Sequence, residues 1–152
     1  MHLIRSATIA ASTLLLGASL AWAQDDVTTY TTDAPFSEVI ADLEDAVVNR
    51  GFVVDYHGHI GDMLDRTAGD IAGSKPLYKG AEILQFCSAT ISRTAMEADI
   101  GNIAYCPYVL FAYEPVEDPG KVTLGFRRLP DGGGRDAVNT LLEEIAREAA
   151  GQ

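Results

Sequence analysis

The sequence predicts an α+β fold, a two-layer arrangement of an antiparallel sheet with helices stacked on one face. Three observations carry this reading. Strand-period and helix-period segments follow one another in mixed order and close on a terminal helix; no regular βαβ alternation occurs; and no Gly-rich dinucleotide turn links a strand to a helix. The expected order is β-α-β-(α)-β-(α)-β-β-α, with no internal repeat and no low-complexity segment.

The N-terminal stretch is set apart from that pattern. Arg5 precedes an apolar and small-residue run from Ala7 to Leu20, which ends on Ala21-Trp22-Ala23. This reads as a secretory signal peptide over residues 1–23. The apolar run falls short of the roughly 20 residues that span a bilayer, and the small-x-small triplet suits a signal peptidase. Cleavage is expected after Ala23, leaving residues 24–152 as a single domain in the periplasm or secreted. No second long apolar run follows, and no Cys stands beside the cleavage point to take a lipid, so membrane anchoring is not expected after leader removal.

The first strand is expected over Val27 to Thr32, a Thr-rich, β-branched run. Asp33-Ala34-Pro35 then supplies a helix start. Phe36, Val39, Ile40, Leu43 and Val47 recur on one helical face, and Gly51 stands where a left-handed cap is wanted. From Phe52 to Ile60 the period is two. It places Phe52, Val54, Tyr56, Gly58 and Ile60 on a core face and Val53, Asp55, His57 and His59 on the other. A short helix capped by Asp62 and carrying Met63, Leu64, Ala68 and Ile71 follows, then a Gly-rich loop.

The third strand is expected over Ala81 to Cys87 and a weaker helix over Ser88 to Ala98. Tyr108 to Tyr113 and Lys121 to Arg127 read as a hairpin joined by the Pro- and Gly-containing segment Glu114 to Gly120. The last helix, Arg135 to about Ala149, has its apolar stripe at Val138, Leu141, Leu142, Ile145 and Ala149. Two layers leave one sheet face bare. A bare face bearing Val53 and part of the Tyr108 to Tyr113 run is apolar enough to predict a homodimer or a bound ligand.

Charge narrows the functional classes. The formal charge is −11, and loss of the leader with Arg5 makes it −12, spread along the chain. Such a surface repels phosphate backbones, so nucleic acid is not an expected partner. Ser74, Ser88 and Ser92 lack a nucleophile-elbow context, Asp131-Gly132-Gly133-Gly134 lacks the Lys-Ser/Thr of a phosphate loop, and calcium-loop spacing is absent. No catalytic residue is assigned, and the reading leans away from an enzyme.

Two constellations remain. Cys87 closes one strand and Cys106 opens the next, which suits a disulfide in an oxidising compartment; a redox-cycling pair and metal ligation are the alternatives. His57 and His59, two apart on a strand, point to one side with Asp55, a candidate metal edge for copper, nickel or zinc.

Beyond the residues themselves, Phe36 to Phe52 with its Gly51-Phe52 junction, Glu82-Ile83-Leu84-Gln85-Phe86-Cys87, the segment Cys106 to Glu114 and the strand Val122 to Arg128 resemble the domain of unknown function 302 family, over about residues 27–129. The resemblance implies a small α+β fold similar to the TATA-binding-protein-like β-α-β(4)-α arrangement, without DNA binding. It implies no catalytic residues. Many relatives have an Asn-Pro turn near the position of Cys87, so this chain resembles an exported, cysteine-bearing branch. The functional expectation is an exported domain that binds a small ligand or a protein partner, without cofactor. The alternative is a thiol-redox or copper-binding protein using Cys87, Cys106, His57 and His59.

Overall fold

The computed structural model describes residues 26–152; the expected leader and its cleavage point at Ala23 lie outside the described residues. Five strands, β1 (Val27–Thr32), β2 (Val54–His59), β3 (Tyr78–Phe86), β4 (Tyr108–Pro115) and β5 (Val122–Arg127), form one antiparallel sheet in the order β1-β5-β4-β3-β2. Helix α1 (Phe36–Val48) carries the chain from one sheet edge to the other, after which β2 to β5 run as a meander. Between the meander strands stand α2 (Ile60–Thr67) and α3 (Ala89–Ala98), and α4 (Asp136–Ala149) closes the chain. Without the two short inserted helices the order is β-α-β(4)-α, as expected. Among the described residues, no helix is long and apolar enough to cross a membrane.

The core forms because α1 and α4 turn their apolar stripes onto the same side of the sheet. Val39, Leu43 and Val47 of α1 and Val138, Leu142 and Ile145 of α4 are fully buried against Leu84, Phe86, Leu110, Val122, Leu124 and Phe126. Each such side chain contributes roughly 1.5–3 kcal/mol by leaving water. The end of α1 follows from Gly51, whose φ is +80°. Gly51 N donates to Val48 O and Phe52 N to Val47 O, the paired bonds that close a helix on a left-handed residue. At α3 the Ser88 hydroxyl accepts from Ile91 N, a side-chain cap on an otherwise unpaired donor.

Two expectations are corrected here. Residues Val54 and Tyr56 stand opposite the consecutive residues Phe86 and Gln85, so β2 contains a bulge with Asp55 as the extra residue. A bulge reverses the alternation beyond it. Val54 packs on the core as expected, but Tyr56 and Gly58 turn to the face away from α1 and α4, while His57 and His59 turn to the one those helices cover, paired with Leu84 and Glu82. The second correction concerns α2, which begins at Ile60 directly after β2 instead of at a cap on Asp62, and has no buried residue. Its Ile71 extension lies outside the helix and is exposed.

Candidate metal centre

The bulge and the register of β2 on β3 together build a cluster of three metal-ligating side chains. His59 is directly opposite Glu82, and His57, two residues earlier on the same strand, reaches the same carboxylate diagonally. His57 Nε2 lies 2.5 Å from Glu82 Oε2, and His59 Nδ1 lies 3.2 Å from Glu82 Oε1. The two imidazole rings are 4.6 Å apart at their centres. One ligand atom from each of His57, His59 and Glu82 can be chosen so that all lie within 4.8 Å of one another.

The surroundings hold this cluster in place from one side and leave it accessible from the other. Along the same face of β3, Glu82 stands between Gly80 and the fully buried Leu84. A Cβ at Gly80 would lie only 2.5 Å from the Phe36 ring, so the start of α1 seats against the strand there. The Glu82 side chain is 19% exposed, that of His57 28% and that of His59 55%. The centre is thus anchored at the carboxylate and open at His59.

Two imidazole nitrogens and one carboxylate oxygen form a borderline donor set, suited to zinc, copper(II) or nickel and poorly suited to calcium, which prefers oxygen alone. Three protein ligands leave a further coordination position for water or an outside donor. The expected third donor, Asp55, is not in this group. As the extra residue of the bulge it leaves the regular register, and Glu82 from the neighbouring strand takes its place. A sequence signal for Glu82 would have required the β2–β3 register, which the intervening α2 conceals.

The cysteines form a separate feature. Cys87 and Cys106 are joined in a disulfide with Cα atoms 6.3 Å apart, in keeping with their places at adjoining ends of the antiparallel pair β3–β4. Cys87 is five residues beyond Glu82 on an extended segment, roughly 17 Å at 3.3 Å per residue, so the sulfurs and the histidines cannot share one ion. The serines are also engaged: Ser92 Oγ lies 2.8 Å from the Tyr108 hydroxyl and Ser88 caps α3. The triple-glycine turn is a structural device. Gly132, Gly133 and Gly134 all have positive φ, the Gly132 N–H donates to Asp136 Oδ1, and Asn102 Nδ2 donates to Gly133 O. Its anion-binding capacity is met by the chain's own carboxylate.

No family model matches the chain, and no curated protein matches it. Among solved structures it is similar to an uncharacterized conserved DUF302 protein from Bacillus stearothermophilus, with a TM-score of 0.58 and 17% sequence identity over 84% of this chain and 95% of that one. The fold is that of a DUF302 protein. The antiparallel five-stranded sheet with α1 and α4 on one face is therefore the DUF302 arrangement, as the sequence resemblance implied. That protein is itself described as uncharacterized, and the likeness carries the fold alone.

Proposed function

We propose that the protein is an exported binding domain whose small ligand is a divalent transition-metal ion, held by His57, His59 and Glu82. The observation that carries this reading is the convergence of three borderline donors, from two neighbouring strands, to within 4.8 Å of one another. Solvent access at His59 gives the ion a route in, and a coordination position not filled by the chain lets a partner or small donor complete the shell. Export is supported by the Arg5, Ala7 to Leu20 and Ala21-Trp22-Ala23 pattern and by a disulfide, which persists in an oxidising compartment. Binding rather than turnover is favoured because Ser88, Ser92 and the Gly132 turn are committed to internal hydrogen bonds.

Calorimetric titration of the purified protein with zinc, copper(II) and nickel tests the proposal. One ion per chain is expected, with the affinity lowered roughly tenfold or more by His57→Ala or Glu82→Gln, and unchanged by Asp55→Ala. Absence of binding by all three ions, or binding indifferent to His57→Ala and Glu82→Gln, would refute it.

A further inference from the structure

We infer that the cleft between the start of β4 and the end of β5 binds a small organic monocarboxylate, at a site separate from the metal centre. The cleft opens where these two strands part. Their ladder ends at Leu110 and Phe126, whereas β3 stays paired with β4 as far as Tyr108 and β1 with β5 as far as Arg127. Each strand thus keeps its other neighbour while the two separate, leaving a space of about 350 Å3 between Tyr108 and Val109 on one side and residues 127–130 on the other. Small-molecule sites span roughly 300–1,000 Å3, so the space holds a compact ligand.

The walls of the cleft are held by the chain itself. On the β5 side, Asn139 binds both polar groups of the Leu129 backbone, and Arg128 N donates to Asp26 O. On the β4 side, the disulfide ties Cys106 to Cys87, and the Tyr108 hydroxyl lies 2.8 Å from Ser92 Oγ. Arg135 joins the two sides: its guanidinium stands 5.5 Å from the centre of the Tyr105 ring, while Nε donates to Pro130 O and Nη1 to Asn102 Oδ1. Walls ordered in advance lower the entropy cost of fixing a bound molecule.

Charge selects the ligand. The chain has a formal charge of −11, yet the charged residues lining the cleft are Arg127, Arg128 and the single carboxylate Asp26. Arg128 is engaged, with Nη2 lying 2.6 Å from Asp131 Oδ1. Arg127 is exposed and makes no ion pair with any described residue. Its planar fork of N–H donors suits a carboxylate, which accepts two parallel hydrogen bonds. Tyr105, Pro107, Val109 and Pro130 offer apolar surface to the body that bears the carboxylate. Two arginines against Asp26 match one negative charge and oppose a second. The metal ligands lie elsewhere: Glu82 is opposite Ala112, four residues along β4 from Tyr108, or roughly 13 Å at 3.3 Å per residue. A molecule that fits the cleft does not reach them.

Titration of the isotope-labelled protein with benzoate, followed by its amide chemical shifts, decides the matter. Saturable binding is expected at a dissociation constant of about 1 mM or below, with the largest shifts at the Val109, Arg127 and Arg128 amides. Benzyl alcohol keeps the ring without the charge and acetate keeps the charge without the ring, and each is expected to bind roughly tenfold more weakly or worse. Arg127→Gln, at an exposed position, is expected to weaken benzoate by a similar factor and to leave the far-ultraviolet circular dichroism unchanged. No saturation by about 10 mM, equal affinity for benzyl alcohol, shifts centred away from the cleft, or indifference to Arg127→Gln would overturn the inference. His57→Ala removes the metal site and leaves benzoate binding intact, so this result stands or falls apart from the metal titration.

Discussion

Asn139 of α4 binds both polar groups of the Leu129 backbone, accepting from Leu129 N through Oδ1 and donating from Nδ2 to Leu129 O, each at 2.9 Å. Asn139 is 5% exposed, so these bonds form away from water and fix the segment after β5 onto the last helix. Only an amide both accepts and donates in that geometry. Asn139→Asp retains the acceptor but faces the Leu129 carbonyl with a second oxygen. A loss of about 2 to 3 kcal/mol is expected, and urea unfolding measures it as a lower midpoint at unchanged slope.

The Cys87–Cys106 bridge spans 19 residues and encloses α3 and the turn of 3-10 helix over Ile100–Tyr105. Cross-linking a loop of that length restricts the unfolded chain and stabilises by about 3 kcal/mol. The Cys87→Ser/Cys106→Ser double variant is expected to lose that amount while keeping the sheet. Equilibrium unfolding of the variant, beside the wild type with and without reductant, checks it. Equal midpoints for oxidised wild type and the double variant would contradict the expectation.

Alkaline pH tests the packing around Tyr108. Burial pushes the Tyr108 hydroxyl above its ordinary value of 10.0, opposed by the hydrogen bond with Ser92. Tyr30 is raised as well, by burial and then by the Glu143 carboxylate, with Arg147 acting in the other direction. A raised folded-state value means that the stabilisation is fully present below pH 10 and is lost as pH rises through the folded values. Tyrosinate absorbance should therefore show a late-titrating fraction of the six tyrosines that disappears on unfolding, and Tyr108→Phe should reduce it. The fall in stability above pH 10 should also be shallower in Tyr108→Phe.

The sequence made the helix-covered layer readable because its signals are local. The stripe Val39, Leu43 and Val47 ends on Gly51, the stripe Val138, Leu142 and Ile145 lies within one helix, and Val122, Leu124 and Phe126 alternate without interruption. The candidate site was half readable. His57 and His59 share a face by simple alternation, but which face depends on the bulge at Asp55, and their third partner comes from a strand 25 residues on from His57. A bulge leaves no trace in period-two counting, since it is a property of the pair of strands. The 3-10 turn was hidden for a different reason: Ile100 and Ile103 are apolar yet exposed, so they carry no burial period.

Gly125 marks where β1 joins the sheet. It is paired with Thr29, and a Cβ at this position would be driven into the Thr28 carbonyl of β1. Its φ is not positive, so the demand for glycine here comes from close backbone approach and not from turn geometry. Gly125→Ala therefore pushes β1 away from β5 without disturbing β2 to β4. Overpacking of this kind costs about 1–3 kcal/mol. Amide hydrogen exchange distinguishes a local from a global effect: the β1 amides should lose protection in Gly125→Ala, while those pairing β3 with β4 keep theirs. Uniform loss across the sheet would show that β1 is integral to the cooperative unit instead of an edge strand docked on it.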